Sequence, residues 1–335
     1  MRSKICIIIP SFNLIDKLHL CLRSIVKTKY KIEEIVIVDD GSKPQIRKST
    51  LKIITSGIPL TIIRNPISLG FAKSINRGIL YGIKKYKETD LDYFLLLNND
   101  AYMHHDFFSK SQPFLAKDYD LMSPIILEKK SGQIDSAGMD YYNDATAVNR
   151  EKYTKRPYLL TAACLFVSYK FALSCMQEFG WLFIPDFVSY GEDVELSLRA
   201  LLLSRKLQII PYKIVDHDRS STMKDNEKAY YYGARNRLWT VLTTWTFHMI
   251  MTNIFGLIKG QAIYAIIYTI KFRNFFVLKL YFDSLLGFPR LFAIRKLIQK
   301  NIIDRKKIGK LHPQPYSFWD LIKRSRTYRL LNIKI

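Results

Sequence analysis

Four compact aliphatic runs, Lys4–Ile9, Glu33–Val38, Leu60–Arg64 and Tyr93–Leu97, constrain this chain most. A run that is apolar at nearly every position predicts a strand covered on both faces. The stretches between them are helix-like. Asp16–Lys27 puts Leu18, Leu22 and Ile25 on one face, and Ser68–Lys87 reads as a helix that starts near a glycine. Strands alternating with helices predict an α/β protein with a mostly parallel, doubly wound sheet flanked by helices. Ligands of such sheets bind beyond the carboxyl ends of the strands. Two polar clusters fall there, Asp39-Asp40-Gly41-Ser42 after the second run and Asn98-Asn99-Asp100 after the fourth.

The second half is less regular. Ser131–Tyr158 is polar and rich in Tyr, Asp and Asn, which predicts an irregular insertion. Leu159–Ser168 is apolar enough for a central strand. Gly191–Leu203 reads as a helix opening on acidic residues, which suit a helix N-terminus. Leu207–Val215 is another strand, followed by Asp216-His217-Asp218. From Lys224 onward the pattern is helical. Leu238–Ile258 has 21 residues and no Lys, Arg, Asp or Glu, long enough to span a bilayer, but five Thr, a His and an Asn favour a buried or interfacial helix. Beyond Pro289, residues Leu291, Ile294, Ile298 and Ile302 share one face. Arg295, Lys296, Lys300 and the run Arg305-Lys306-Lys307 supply charge around it. That pattern predicts a helix lying on a membrane surface, or one packed on its own domain.

Charge sharpens the partner question. The 335 residues hold 52 Lys+Arg against 29 Asp+Glu, a net of +23, and residues 236–335 account for 18 minus 3, or +15. Such asymmetry points to a polyanion, either nucleic acid or an anionic membrane surface. At 48% hydrophobic the chain is not a disordered one. Its four cysteines form no CxxC pair, which argues against a zinc site or a disulfide framework and for buried thiols in a reducing compartment. The N-terminal apolar run is too short for a signal peptide, so a cytoplasmic protein is expected.

Four places could carry chemistry, and each has a plain structural reading beside it. Asp39-Asp40 could accept hydrogen bonds from a ribose or a base, or could simply cap an Asp-Gly turn. Asn98-Asn99-Asp100 offers a carboxylate for a hard cation that shares its other sites with phosphate, or a capping turn. Gly191-Glu192-Asp193-Val194-Glu195 gathers three carboxylates in four residues. Their repulsion in a cleft would ready one for proton abstraction, although acids also suit a first helical turn. His217, at a strand end, could complete a cation site or be an ordinary histidine.

Taken in order, these segments resemble the inverting family 2 glycosyltransferases of GT-A fold, most closely the rhamnosyltransferase-like branch. The resemblance covers roughly residues 4–240. It is carried by Ile7-Ile8-Ile9-Pro10-Ser11-Phe12-Asn13, Val36-Ile37-Val38-Asp39-Asp40-Gly41-Ser42, Leu69-Gly70-Phe71-Ala72 with Asn76-Arg77-Gly78, and Leu95-Leu96-Leu97-Asn98-Asn99-Asp100. Tyr190-Gly191-Glu192-Asp193-Val194-Glu195 with Arg199, then His217 and Tyr231-Tyr232-Gly233-Ala234-Arg235-Asn236, complete it. The resemblance implies a catalytic domain over 1–235, with a nucleotide-binding half (1–100) and an acceptor half (101–235), and a basic, amphipathic, membrane-associating region over 236–335. It implies a nucleotide pocket lined by Pro10, Asn13, Asp39, Asp40, Gly70, Asn76, Asn98 and Asn99, with Arg235 on the diphosphate. Asp100 and His217 would hold Mg²⁺ or Mn²⁺, and Asp193 would be the base. Two positions depart from the family pattern. Asn98 replaces the first Asp of Asp-x-Asp, and Ser68 stands where Asn is expected before Leu-Gly-Phe.

The implied reaction is one displacement. A dTDP- or UDP-sugar, rhamnose first, gives up its sugar to a saccharide or polyprenyl-diphosphate-linked acceptor in bacterial cell-surface polysaccharide synthesis. Cation and donors would neutralise the diphosphate while Asp193 takes the acceptor proton. The enzyme would sit in the cytoplasm, on the inner face of the membrane. A sugar nucleotidyltransferase would need a Gly-rich, basic first loop, and Pro10-Ser11-Phe12-Asn13 is not one. A nucleic-acid binder would interleave basic and base-stacking residues, whereas the spacing of the tail suits lipid better.

Overall fold

The computed structural model describes residues 2–55, 57–154, 159–218, 227–272 and 276–302. Its strands are β1 (Ile5–Ser11), β2 (Glu34–Asp39), β3 (Leu60–Arg64), β4 (Tyr93–Leu97), β5 (Ala101–Met103), β6 (Leu121–Glu128), β7 (Ile134–Ser136), β8 (Met139–Tyr141), β9 (Ala147–Asn149), β10 (Cys164–Ser168) and β11 (Leu207–His217). The large sheet runs β3-β2-β1-β4-β10-β6-β11-β5, with β7 also on β6, and β8–β9 form a separate hairpin. β3, β2, β1 and β4 are parallel. β10 is antiparallel to both β4 and β6, so β6, and β11 parallel to it, return to the direction of β1.

Alternation along the strands explains why helices cover both faces. Ile5, Ile7, Ile9, Ile35, Ile37 and Leu95 belong to one apolar cluster, with Leu18 and Leu22 of α1 (Ile15–Lys27), Leu51 of α2 (Lys48–Thr55) and Phe107 and Phe108 of α4 (Phe107–Leu115). Cys6, Ile8, Val36, Val38 and Phe94 belong to the other, with Ile75 and Ile79 of α3 (Phe71–Lys85), Phe171 of α5 (Tyr169–Glu178) and Leu196 of α6 (Glu192–Leu202). A period of two on strands buried on both sides feeds two helical layers. All four cysteines are free and buried.

A buried ion pair anchors α6. Arg199 donates from Nε to Glu195 Oε1 at 2.7 Å and from Nη2 to Oε2 at 3.1 Å, and both side chains are fully enclosed. The guanidinium also donates to the Leu182 carbonyl and lies over the rings of Phe179 and Trp181. It thereby joins α6 to the segment after α5.

Several expectations need correction. The polar insertion is not wholly irregular: it contains β7 and the β8–β9 hairpin. The uncharged stretch 238–258 is not one helix. It is divided among α7 (Glu227–Thr244), α8 (Phe247–Thr252) and the start of α9 (Ile254–Phe272), because Thr246 caps α8 through its hydroxyl. Among the described residues no helix is long and apolar enough to cross a membrane. The expected boundary at 235/236 falls inside α7. Finally, the apolar stripe of α11 (Phe288–Lys300) faces the protein. Leu291 and Ile298 are buried in the main core, and Arg295 Nη1 donates to the carbonyls of Leu242 and Trp245 at 2.9 and 2.7 Å. The basic run 305–307 lies outside the described residues.

Removing one member of the enclosed pair strands the other charge. Glu195→Ala is expected to lower unfolding free energy by about 3–5 kcal/mol, measured by urea denaturation. A loss under about 1 kcal/mol, the size of a surface pair, would show the pair to be dispensable.

Candidate active site

The topology brings the polar clusters to one edge. The carboxyl ends of β1, β2, β4 and β11 all point there, and reversed β10 enters from it: Cys164 lies opposite Leu97. Segment 161–163, Asn98–Asp100 and His217 are therefore neighbours along that edge.

Asp100 and His217 meet through strand register. β5 and β11 pair His217 with Ala101, which puts Asp100 beside His217, and the Asp218 amide donates to the Asp100 carbonyl at 2.8 Å. His217 Nε2 lies 3.3 Å from Asp100 Oδ1, and Nδ1 lies 3.1 Å from Asp135 Oδ2. Asp135 was not foreseen. It is the extra residue of a β-bulge, since Ile134 pairs with Leu127 and Ser136 with the adjacent Ile126. A bulge re-aims a side chain. Its only sequence signal is an acid in a polar insertion, too weak to single it out. Lys17 was also missed; its Nζ lies 3.1 Å from Asp218 Oδ2.

A neutral imidazole donates from one nitrogen only. A neutral ring here can donate to only one of its two flanking carboxylates. With Nδ1–H on Asp135, Nε2 and Asp100 are left as one nitrogen and one oxygen donor side by side. Among the described residues there is no group of three side chains able to hold a metal. The pair fits a divalent ion only if ligand oxygens fill the other positions, as a diphosphate can. Beside Asp100, the amide oxygen of Asn98 is buried with no hydrogen-bond partner, and Asn99 Nδ2 donates to Ser11 Oγ at 3.1 Å across the ends of β4 and β1.

Asp193 stands in the first turn of α6. The Val194 amide donates to its Oδ1 at 2.9 Å and the Ala162 amide to its Oδ2 at 3.3 Å, with a further hydrogen bond from the side chain of Thr161. The next residue, Ala163, accepts from the Asn98 amide at 3.0 Å. One short segment thus touches both the α6 carboxylate and the β4 end. Burial raises the Asp193 carboxyl above the usual aspartate range, and the three donors work against that rise. Burial first, then the charge of Asp193, raises the neighbouring Glu192, whose Oε2 is buried without a partner.

Other expected site residues are bound up with the protein itself. Asp40 accepts five hydrogen bonds, from Asn65 Nδ2, the Leu69 amide and Ser74 Oγ on Oδ1, and from Ser68 Oγ and the Gly70 amide on Oδ2. A carboxylate has about four acceptor sites, so none is left for a nucleotide. Asp39, fully buried, accepts from the Ser42 and Ile46 amides and pairs with Arg64. Asn76 is spent on the backbone of Leu182 and Phe183, as donor and acceptor. Arg235 donates to the carbonyls of Asp186 and Phe187 and lies 4.0 Å from the Trp239 ring centre. Gly70, at φ 90°, is needed where Val188 crosses: a Cβ there would come within 2.6 Å of Val188 O. Asn13 accepts from the Lys43 amide and bridges the loops after β1 and β2, while Pro10 pairs with Val38 near the end of β1. These residues hold neighbouring loops and helices in place.

A model described as glycosyl transferase family group 2 matches residues 93–287, more than half the chain, and one described as glycosyl transferase family 2 matches residues 6–171. The chain belongs to the family 2 glycosyltransferases. No functionally curated protein matches the sequence. Among solved structures, this glycosyltransferase is similar to S. aureus TarS 1–349, at 14% identity and TM-score 0.50 over 92% of this chain and 89% of that one. GalNAc-T7, crystallised with UDP, GalNAc and Mn²⁺, gives 15% and 0.56 over 73% and 49%. The mannosyltransferase PcManGT of Pyrobaculum calidifontis, in complex with GDP-Man and Mn²⁺, gives 12% and 0.50 over 90% and 86%. At these identities the similarity establishes the fold.

The raised Glu192 carboxyl has a stability consequence. The folded state binds its proton more tightly than the unfolded state, so stability is fullest below the ordinary glutamate range and falls as pH rises from there through the raised value. Glu192→Gln should flatten that slope and gain in melting temperature over the parent at pH 8 but not at pH 4. Parallel melting curves for the two proteins across that span would refute the assignment.

Proposed function

We propose that this glycosyltransferase moves a sugar from a nucleotide-diphosphate sugar to a hydroxyl with inversion, in a single displacement with Asp193 as base. The observation that carries the reading is the shared segment 161–163, which holds Asp193 on one side and the Asn98–Asp100 end of β4 on the other. An acceptor hydroxyl needs a base in its transition state, and a carboxylate raised by burial is a better one than a solvated aspartate. The three donors on Asp193 fix its position before the acceptor arrives. Asp100 and the Nε2 of His217 are the residues to hold Mg²⁺ or Mn²⁺, which when bound supplies charge to stabilise the departing diphosphate. Asn98 leaves an unpartnered amide oxygen to accept a hydroxyl of the donor sugar. Lys17 adds a cation to the same edge.

The donor is a dTDP- or UDP-sugar, with rhamnose the first choice because Asn98-Asn99-Asp100 resembles the rhamnosyl branch. The solved neighbours hold UDP, UDP-GlcNAc and GDP-Man, which supports a nucleotide-sugar and leaves its base to be tested. A saccharide, free or carried on a polyprenyl diphosphate, is the acceptor, in bacterial cell-surface polysaccharide synthesis. The +15 charge of 236–335 holds the enzyme on the inner, anionic face of the membrane.

Asp193→Asn is expected to lower turnover about a hundredfold or more while donor binding, read by calorimetry, stays unchanged. Near-parental turnover would remove Asp193 as base. A second test concerns Asp135, which fixes the ring of His217. Asp135→Asn should weaken Mn²⁺ binding in the presence of nucleoside diphosphate about 10–100-fold, read from free Mn²⁺ by electron paramagnetic resonance. Chelator should stop transfer in the parent. Unchanged Mn²⁺ affinity in the variant would assign Asp135 to the fold alone.

A further inference from the structure

Among the described residues, 11 of the 20 exposed large apolar side chains fall between Phe247 and Phe292. They are not scattered. On α9, Leu257, Gly260, Tyr264 and Tyr268 are buried at helical spacing, which makes that face the inward one. The opposite face carries Phe255, 85% exposed, then Ile258, Ile266 and Ile270, each at least 60% exposed. A helix on the surface of a water-soluble domain is polar on its outer side. α9 is apolar on both but for Lys259 and Thr269, which are exposed on the outer side. The pattern continues on α10 (Phe276–Leu286), where Leu280 and Ser284 face inward while Phe282 and Leu285 are exposed.

The charges on these helices are mostly positive. Lys259, Lys279, Arg290, Lys296 and Lys300 are exposed on α9, α10 and α11. Lys279 is paired with Asp283, the one acid on these three helices, and Arg290 with Asp186, so the excess rests on Lys259, Lys296 and Lys300. Exposed Phe and Ile flanked by Lys and Arg form the recognition chemistry of an anionic phospholipid interface. No described helix can cross the bilayer, so the helices would lie along it.

We infer that the outer face of α9 and α10 inserts into the headgroup–acyl boundary of an anionic membrane. The inference deepens the membrane reading given above: charge draws the protein to the surface, and these side chains enter it. It also replaces α11, whose apolar stripe is already buried, as the inserting element. The amphipathic pattern of α11 was the more conspicuous in the sequence, but the fold uses it internally.

Flotation of the full chain with vesicles of phosphatidylcholine and phosphatidylglycerol tests this, at low salt and at a salt concentration that screens charge. Insertion leaves a bound fraction at high salt. Phe255→Glu with Ile266→Glu, both at exposed positions, should reduce it about tenfold or more, with donor binding unchanged. Phe255→Trp, with its indole in water in the free protein, should shift its emission to the blue when vesicles are added. Full release by salt, equal flotation of the double variant and no blue shift would overturn insertion and leave attraction by charge standing. No flotation at any salt, with concentration-dependent self-association in sedimentation, would overturn both and make the face a contact between copies.

Discussion

Asp40 decides how the edge beyond β2 is built. Five donors converge on its two oxygens, from Asn65, Ser68, Leu69, Gly70 and Ser74. They bring together the end of β2, the strand β3 that precedes Asn65, and the N-terminus of α3. Two of the donors are backbone amides at the start of α3, groups that have no partner within the helix. Without the carboxylate, those amides and two hydroxyls would lose their acceptor in a largely buried place. The same count sorts the other acids. Asp39 is likewise used up, by two amides and Arg64, whereas Glu192 has an oxygen without any partner. Position at a strand end alone therefore does not tell what an acid does here.

The reversed strand β10 explains how the acting groups come together. Had it run parallel to β4, segment 161–163 would lie at the far edge of the sheet, away from Asn98. Reversal delivers it to the carboxyl end of β4, where Ala163 accepts from Asn98 and Ala162 donates to Asp193. α7 then fixes the other approach to Asp193. Asn236 donates to the carbonyls of Phe187, Ser189 and Tyr190, and Arg235 to those of Asp186 and Phe187. Those residues lead straight into Gly191 and α6. The Arg-Asn pair thus positions Asp193, the base proposed above, through the loop that leads into α6.

Much of this was legible in the sequence because strands buried on both faces are continuous apolar runs: β3 and β4 end with theirs, and β1 and β2 run on by two residues and one. The order of the polar clusters then gave the edge on which they meet. Other features were beyond reach for definite reasons. Asp135 sits on a bulge in a polar insertion, and pairing register there is set by contacts across the sheet that no periodicity records. The partners of Asp40, Asn76 and Arg235 are mostly distant backbone groups, which a motif does not name. For α11, amphipathicity identified the apolar face but not what covers it. Protein and lipid impose the same pattern, and only the packing of Leu291 and Ile298 against the main core distinguishes them.

The helical layer and the active edge are mechanically joined. Gly256 and Gly260 of α9 let the helix approach the β8–β9 hairpin so closely that a Cβ would come within 2.9 Å of Asn143 and 2.5 Å of Asp144. Arg237 of α7 adds a hydrogen bond to Thr146 in the same turn. That hairpin follows directly on β7, whose bulge presents Asp135 to His217. The outer face of α9 is thus connected to the histidine through one hairpin and one bulge in close-packed contact. With the lipid-borne acceptor and the inserting face proposed above, such a linkage would let the surface that meets the membrane set where the active edge stands above it.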